Sequence, residues 1–130
     1  MSYININDVS DLHVKDICER EDVTSQLTAT DREIERASMA RGVKSEDIPV
    51  DENGNTTSPA LQTFGMYYLY RILLSDFWGA SGRDTIQDIY SAKLEYYESE
   101  MQKARNALTR DLILNDNVSQ RSHIRSIPIY

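Results

Sequence analysis

The sequence predicts an all-α protein, a small helix bundle, from three observations. Residues 58–79, SPALQTFGMYYLYRILLSDFWG, carry much of the apolar bulk and are apolar almost all round, as a buried central helix is. Further on, Tyr90, Leu94, Tyr97, Met101, Ala104 and Leu108 recur at alternating steps of four and three, one seam of a long amphipathic helix. Helix punctuation also recurs: Ser58-Pro59 before the apolar stretch, Thr30 with Glu33, Ser81 with Asp84, and glycines at 42 and 79. A hydroxyl residue caps the first free amides, proline fits the first helical position, and glycine closes a helix in the left-handed region.

Length and charge set the outer limits. A chain of 130 residues makes one domain with a real core. The formal charge is −7 and unevenly spread: residues 1–58 hold 13 acids against 6 bases, and residues 109–130 hold 2 acids against 3 bases. An acidic surface disfavours nonspecific nucleic-acid binding, which needs clustered lysine and arginine. A lone cysteine, Cys18, excludes an internal disulfide and points to a reducing site of manufacture. The opening MSYININDV has neither the basic nor the apolar region of a secretory signal.

Taken in order, the chain opens on an alternating segment, Tyr3, Ile4 and Ile6, suited to an extended lead-in. Asn7 or Ser10 is the expected cap of a first helix reaching about Arg20, with Val14, Ile17 and Cys18 at helical spacing. His13, Asp16 and Cys18 do not share one helix face, so Cys18 is expected to be a small buried group and not a metal ligand. Residues 21–30 read as a loop. The Thr30/Glu33 box then predicts a helix from Asp31 to about Arg41, with Ile34, Ala37 and Met39 or Ala40 inward and Arg32, Glu33, Glu35, Arg36 and Arg41 on a solvated or subunit-facing surface. Residues 43–57 are the main non-helical insertion. Asn53-Gly54 marks a tight turn that allows a short β-hairpin over 48–57. Asp51, Asn53 and Asn55 begin like a calcium loop, but Thr56 stands where glycine should and no closing glutamate follows.

The central helix is expected over about 59–78. Its length would span a bilayer, but Gln62, Arg71, Ser75 and Asp76 interrupt it, and Arg71 would be costly in lipid. No membrane association is therefore expected. Gly65 marks a place where another helix comes close. The long helix follows over about 84–108. Leu61, Phe64, Tyr68, Ile72, Leu94, Tyr97 and Met101 are the predicted core, within a bundle domain assigned to 1–110. Residues 111–130 are assigned to an extended C-terminal arm, in which Ile124, Ile127, Ile129 and Tyr130 alternate with Arg121, His123 and Arg125, and Pro128 forbids a helix interior. Such an arm suits docking on another chain by strand addition or in a groove.

Catalytic signatures are lacking. The five glycines are scattered singly, so no phosphate loop forms, and His13 and His123 stand near opposite ends with no nucleophile set. The eight tyrosines lack interleaved basic residues and read as packing groups with a polar edge, suited to subunit contacts. No enzyme, metal or cofactor is expected.

The run DREIERASMARGV, a loop holding Pro49, then SPALQTFGMYYLYRILLSDFWG, a long amphipathic helix and an extended tail resembles the head–tail connector adaptors (head-completion or neck proteins) of tailed double-stranded DNA phages. The resemblance is one of pattern and size over about residues 5–110. The polar SMARGVKSED stands where that family often has an apolar run. The resemblance implies a virion protein: a ring subunit, typically one of twelve, beneath the portal, assembled in the host cytoplasm. The ring would extend the DNA channel and meet the next neck or tail-completion protein. It further implies that the C-terminal arm grips the portal, through Arg121, Ile124, Arg125, Ile127, Pro128, Ile129 and Tyr130. An acidic lumen would let DNA slide without specific binding. The alternative expectation is a small soluble regulatory or adaptor protein whose arm binds one partner.

Overall fold

The computed structural model describes residues 2–78 and 84–114, with the side chains of residue 78 and of residues 84–90 left aside. The fold is all-α. Helix α1 spans Leu12–Arg20, α2 Thr24–Met39, α3 Pro59–Leu73, α4 Asp84–Ala107 and α5 Arg110–Leu114.

Helix α3 starts where its punctuation predicts. Ser58 Oγ accepts from the Leu61 amide at 3.3 Å, and Pro59 occupies the first turn. Leu61, Phe64, Leu69, Leu73 and Leu74 are fully buried, and α3 packs on α4, α2, α5 and α1. The helical path continues to residue 78, but its last turn, Leu74–Trp78, is π-helical. Gly65 allows a close approach. A Cβ there would lie 2.7 Å from Ile34 Cδ1 on α2 and 2.6 Å from Ile4 Cδ1. The second neighbour belongs to the N-terminal lead-in and not to a helix.

Three expectations are corrected at the N-terminal half. The cap of α1 is Asp11, not Asn7 or Ser10: its side chain accepts from the His13 and Val14 amides at 2.9 and 3.1 Å. Helix α2 begins at Thr24, inside the expected loop. Asp22 Oδ1 accepts from the Thr24 amide at 3.0 Å, and buried Thr30 is a helix-interior residue whose hydroxyl donates to the Gln26 carbonyl at 2.8 Å. A threonine-rich segment has weak helix propensity, and burial of Thr30 and Ile34 against α3 overrides it. Met39 and Ala40 are exposed; Ser38 takes the inward place beside Ile34 and Ala37.

The hairpin contracts to a single antiparallel bridge, Val50–Thr56. Gly54 is left-handed (φ 83°), as its turn requires. Asp51 Oδ1 accepts from the amides of Asn53 and Asn55 at 2.9 and 3.0 Å, so the calcium-like spacing serves an Asx turn. Thr56 N donates to the Tyr3 carbonyl at 2.8 Å, so the bridge's backbone ties to the lead-in.

The apolar run Leu112-Ile113-Leu114, assigned to the arm from sequence, lies in α5. Thr109 Oγ1 accepts from the Leu112 amide at 3.2 Å, Ser58 Oγ donates to the Leu112 carbonyl at 2.6 Å, and Ile113 is fully buried. The bundle therefore reaches Leu114. The Ser81 box and residues 115–130 lie outside the described residues.

Candidate functional site

The expected arm residues Arg121, Ile124, Arg125, Ile127, Pro128, Ile129 and Tyr130 lie outside the described residues. Of the predicted core, Leu61, Phe64, Tyr97 and Met101 are buried, whereas Tyr68, Ile72 and Leu94 are half-buried at its margin. Tyr68 faces Arg71, whose guanidinium stands 5.4 Å from the ring centroid and whose Nε lies 3.0 Å from Glu98 Oε1. The arginine that would be costly in lipid thus pairs across α3 and α4.

Between α3 and α4, beside the start of α1, four tyrosines gather. Ring centroids lie 5.0 Å apart for Tyr70 and Tyr97, 5.9 Å for Tyr67 and Tyr97, and 5.4 Å for Tyr96 and Tyr97. The buried edge of this cluster meets Asp11, whose Oδ2 accepts from the Tyr97 hydroxyl and from Lys93 Nζ at 2.8 Å. Burial pushes the Asp11 carboxyl up, but the hydrogen bonds from Lys93, Tyr97 and the Val14 amide outweigh it and hold it at about 2. Burial first, and then the bond to Asp11, raises the Tyr97 phenol. Tyr70 accepts from the Ser10 amide at 3.0 Å, and its ring helps line a cavity of about 230 Å³ with Asp8, Thr63, Met66 and Tyr67.

A second surface lies between α2 and α4. Arg41, expected on a solvated or subunit-facing surface, is an internal clamp: its guanidinium donates to the carbonyls of Ala37, Leu108 and Arg105 at 3.2, 3.2 and 2.5 Å. These carbonyls sit at the C-terminal ends of α2 and α4, where backbone acceptors are left over. Glu33, likewise expected to be solvated, bonds Arg105 Nη2 at 2.9 Å and also pairs with Arg36. Around them, Arg36, Ala37, Ala40, Arg41 and Arg105 line a cavity of about 190 Å³.

Comparison with family models, with curated proteins and with solved structures finds no match to the chain.

A third cavity, of about 390 Å³, opens between the lead-in and the 43–57 loop, lined by Tyr3, Asp31, Glu35, Glu46, Ile48 and Val50 among others. Tyr3 donates to Glu35 at 2.9 Å, and Asp31 accepts from Ser2 Oγ and the Tyr3 amide. Burial and the neighbouring Glu35 push the Tyr3 phenol up to about 12. Burial also raises the Asp31 carboxyl, against the two bonds it accepts. Among the described residues no group of three or more His, Cys, Asp or Glu is placed to hold a metal ion, and no helix is long and apolar enough to cross a membrane.

What the described residues offer is a set of faces and not a deep site: shallow cavities, a tyrosine cluster and exposed Leu12, Met39, Tyr96 and Leu112. Sequence reasoning missed Asp11 and Arg41. An aspartate directly before Leu12 is a cap signal as strong as Asn7 or Ser10, but nothing in the chain links it to Tyr97. Arg41 beside Gly42 carries the cue of a basic residue at a helix C-terminus, but not its reach to a second helix.

Proposed function

We propose that this chain is a structural subunit of the neck of a tailed bacteriophage. It would sit in a ring below the portal, extend the DNA channel and link capsid to tail. The observation that carries this reading is one of build. An all-α body on a central helix, with 13 acids against 6 bases in residues 1–58, precedes a basic and apolar tail carrying Arg121, Ile124, Arg125, Ile127, Ile129 and Tyr130. An acidic body repels the DNA that passes it, and an extended arm grips a partner without disturbing a core it does not belong to. The role is architectural and not catalytic, and it uses no cofactor. Further copies of this chain, the portal and the next neck or tail-completion protein would be its partners, in a virion assembled in the host cytoplasm.

Native mass spectrometry of the full-length protein, alone and with a candidate portal ring, tests this. A ring mass, or a stoichiometric portal complex abolished by Ile127→Asp with Ile129→Asp, supports it. Neck assembly by that double variant at the wild-type level refutes the docking arm. A monomer that binds no portal favours the adaptor alternative, in which the arm serves a single soluble partner.

A further inference from the structure

The two flanks of α4 carry unlike and complementary features. On one, Tyr96 is 55% exposed. Its ring lies 5.4 Å from Tyr97, over the tyrosine cluster, so its exposed face is held with little freedom left to lose. Ala92 and Ser99 beside it on the helix face are small and exposed, which leaves the outer face of the ring open. Glu95 precedes it and Glu100 follows one turn on, the latter 3.0 Å from Lys103. On the other flank is the hollow of about 190 Å³, where Ala37 and Ala40 supply the apolar wall and Arg36, Arg41 and Arg105 outnumber Glu33. Exposed Met39 stands beside it in sequence, at the end of α2.

Geometry and size both match. Arg105 follows Tyr96 by nine positions, which at 3.6 residues per turn puts the two about 180° apart around α4 and about 13 Å apart along it. Knob and hollow therefore face away from each other and cannot meet within one chain. A cavity of about 150 Å³ takes a benzene ring, so the hollow has room for a phenol. An aromatic ring between small residues, entering an arginine-bordered apolar pocket, is the composition that dominates binding at protein interfaces. Glu95, exposed beside the ring, carries the charge opposite to the arginine surplus around the hollow.

We propose that Tyr96 of one copy of this chain seats in the Ala37–Ala40 hollow of the next, making a head-to-tail interface. A contact between two different patches generates rings or open filaments and not a two-fold dimer. The inference deepens the ring-subunit reading and rests on it for closure into a ring.

The test pairs cross-linking with assembly, in full-length protein carrying Cys18→Ser. Ser99→Cys with Ala40→Cys in the same chain, with Tyr96 kept, should give with a bismaleimide cross-linker a ladder of covalent multimers, and neither single variant should. Both positions are exposed, so neither change threatens the fold. Tyr96→Glu should keep its helical circular dichroism and weaken self-association about tenfold or more. An absent ladder, equal dimer from Ser99→Cys alone, or wild-type assembly by Tyr96→Glu overturns the interface. Rings that persist in Tyr96→Glu sink this contact and leave the neck reading standing. A ladder in a protein that binds no portal upholds the contact and sinks the neck reading.

Discussion

Asp11 accepts the phenol proton donor of Tyr97 across 86 positions of sequence, while the same carboxylate caps α1 through the His13 and Val14 amides and pairs with Lys93 at 2.8 Å. One nearly buried side chain thus starts a helix and fastens it to α4. The two roles separate by substitution, because asparagine keeps the cap and loses the charge. Asp11→Asn should destabilise the fold by about 1–2 kcal/mol, from weakened bonds to Tyr97 and Lys93. Asp11→Ala should cost about 1 kcal/mol more, from the lost cap. Urea titrations of the three proteins check this; equal stability of Asp11→Asn and wild type would show that the link to α4 contributes nothing.

The same carboxyl predicts an acid limb. Its folded-state value, about 2, lies below the ordinary aspartate value of 3.8. The stability it contributes is present above pH ~4 and is lost as pH falls towards 2. Wild type should lose stability over that window faster than Asp11→Asn, as read by denaturation at fixed pH steps. Parallel curves would contradict it.

At the alkaline end the sign reverses. Tyr3 is held neutral up to about 12 by burial and by Glu35, so its contribution is full below pH ~10 and disappears as pH rises towards 12. Tyr97 shifts in the same direction. Tyr3→Phe should therefore flatten part of the alkaline limb and not all of it. An unchanged slope between pH 10 and 12 would disprove the role of Tyr3.

Gly65→Ala tests packing against propensity. Alanine favours an exposed helix by about 1 kcal/mol over glycine, yet its Cβ would lie 2.6 Å from Ile4 Cδ1 and 2.7 Å from Ile34 Cδ1. Overpacking of this kind costs about 1–3 kcal/mol, so the variant should melt lower than wild type. Ile4→Val removes one of the crowding methyls and should restore part of the loss in the double variant. A more stable Gly65→Ala would mean that the lead-in yields freely.

Arg41→Ala should strip the carbonyls of Ala37, Arg105 and Leu108 of their shared donor. The expected loss is about 2 kcal/mol, with Arg41→Lys recovering only a fraction because a point ammonium cannot fork to three acceptors. Thermal melts order the three proteins; Arg41→Lys equal to wild type would reduce the clamp to simple charge.

Much of the architecture is written locally. Ser58-Pro59 and the apolar run after it specify α3, because a cap and a first-turn proline act within a few residues. The seam through Tyr97, Met101 and Leu108 specifies the inner face of α4, because helical periodicity alone decides which side chains share a face. The all-α class and the absence of a spanning helix among the described residues follow from the same local signals. Other features needed the folded chain. Residues 24–30 are helical because Thr30 and Ile34 are buried against α3, a tertiary gain that outweighs weak propensity. Asp11, Glu33 and Arg41 look like surface charges in one dimension and become links between helices only when α1 and α2 are laid on α4. The pairing of a tyrosine on one flank of α4 with a hollow on the other is likewise a property of the assembled bundle. A sequence fixes which residues face the same way along one helix; which helix they then meet is decided by the packing of all of them at once.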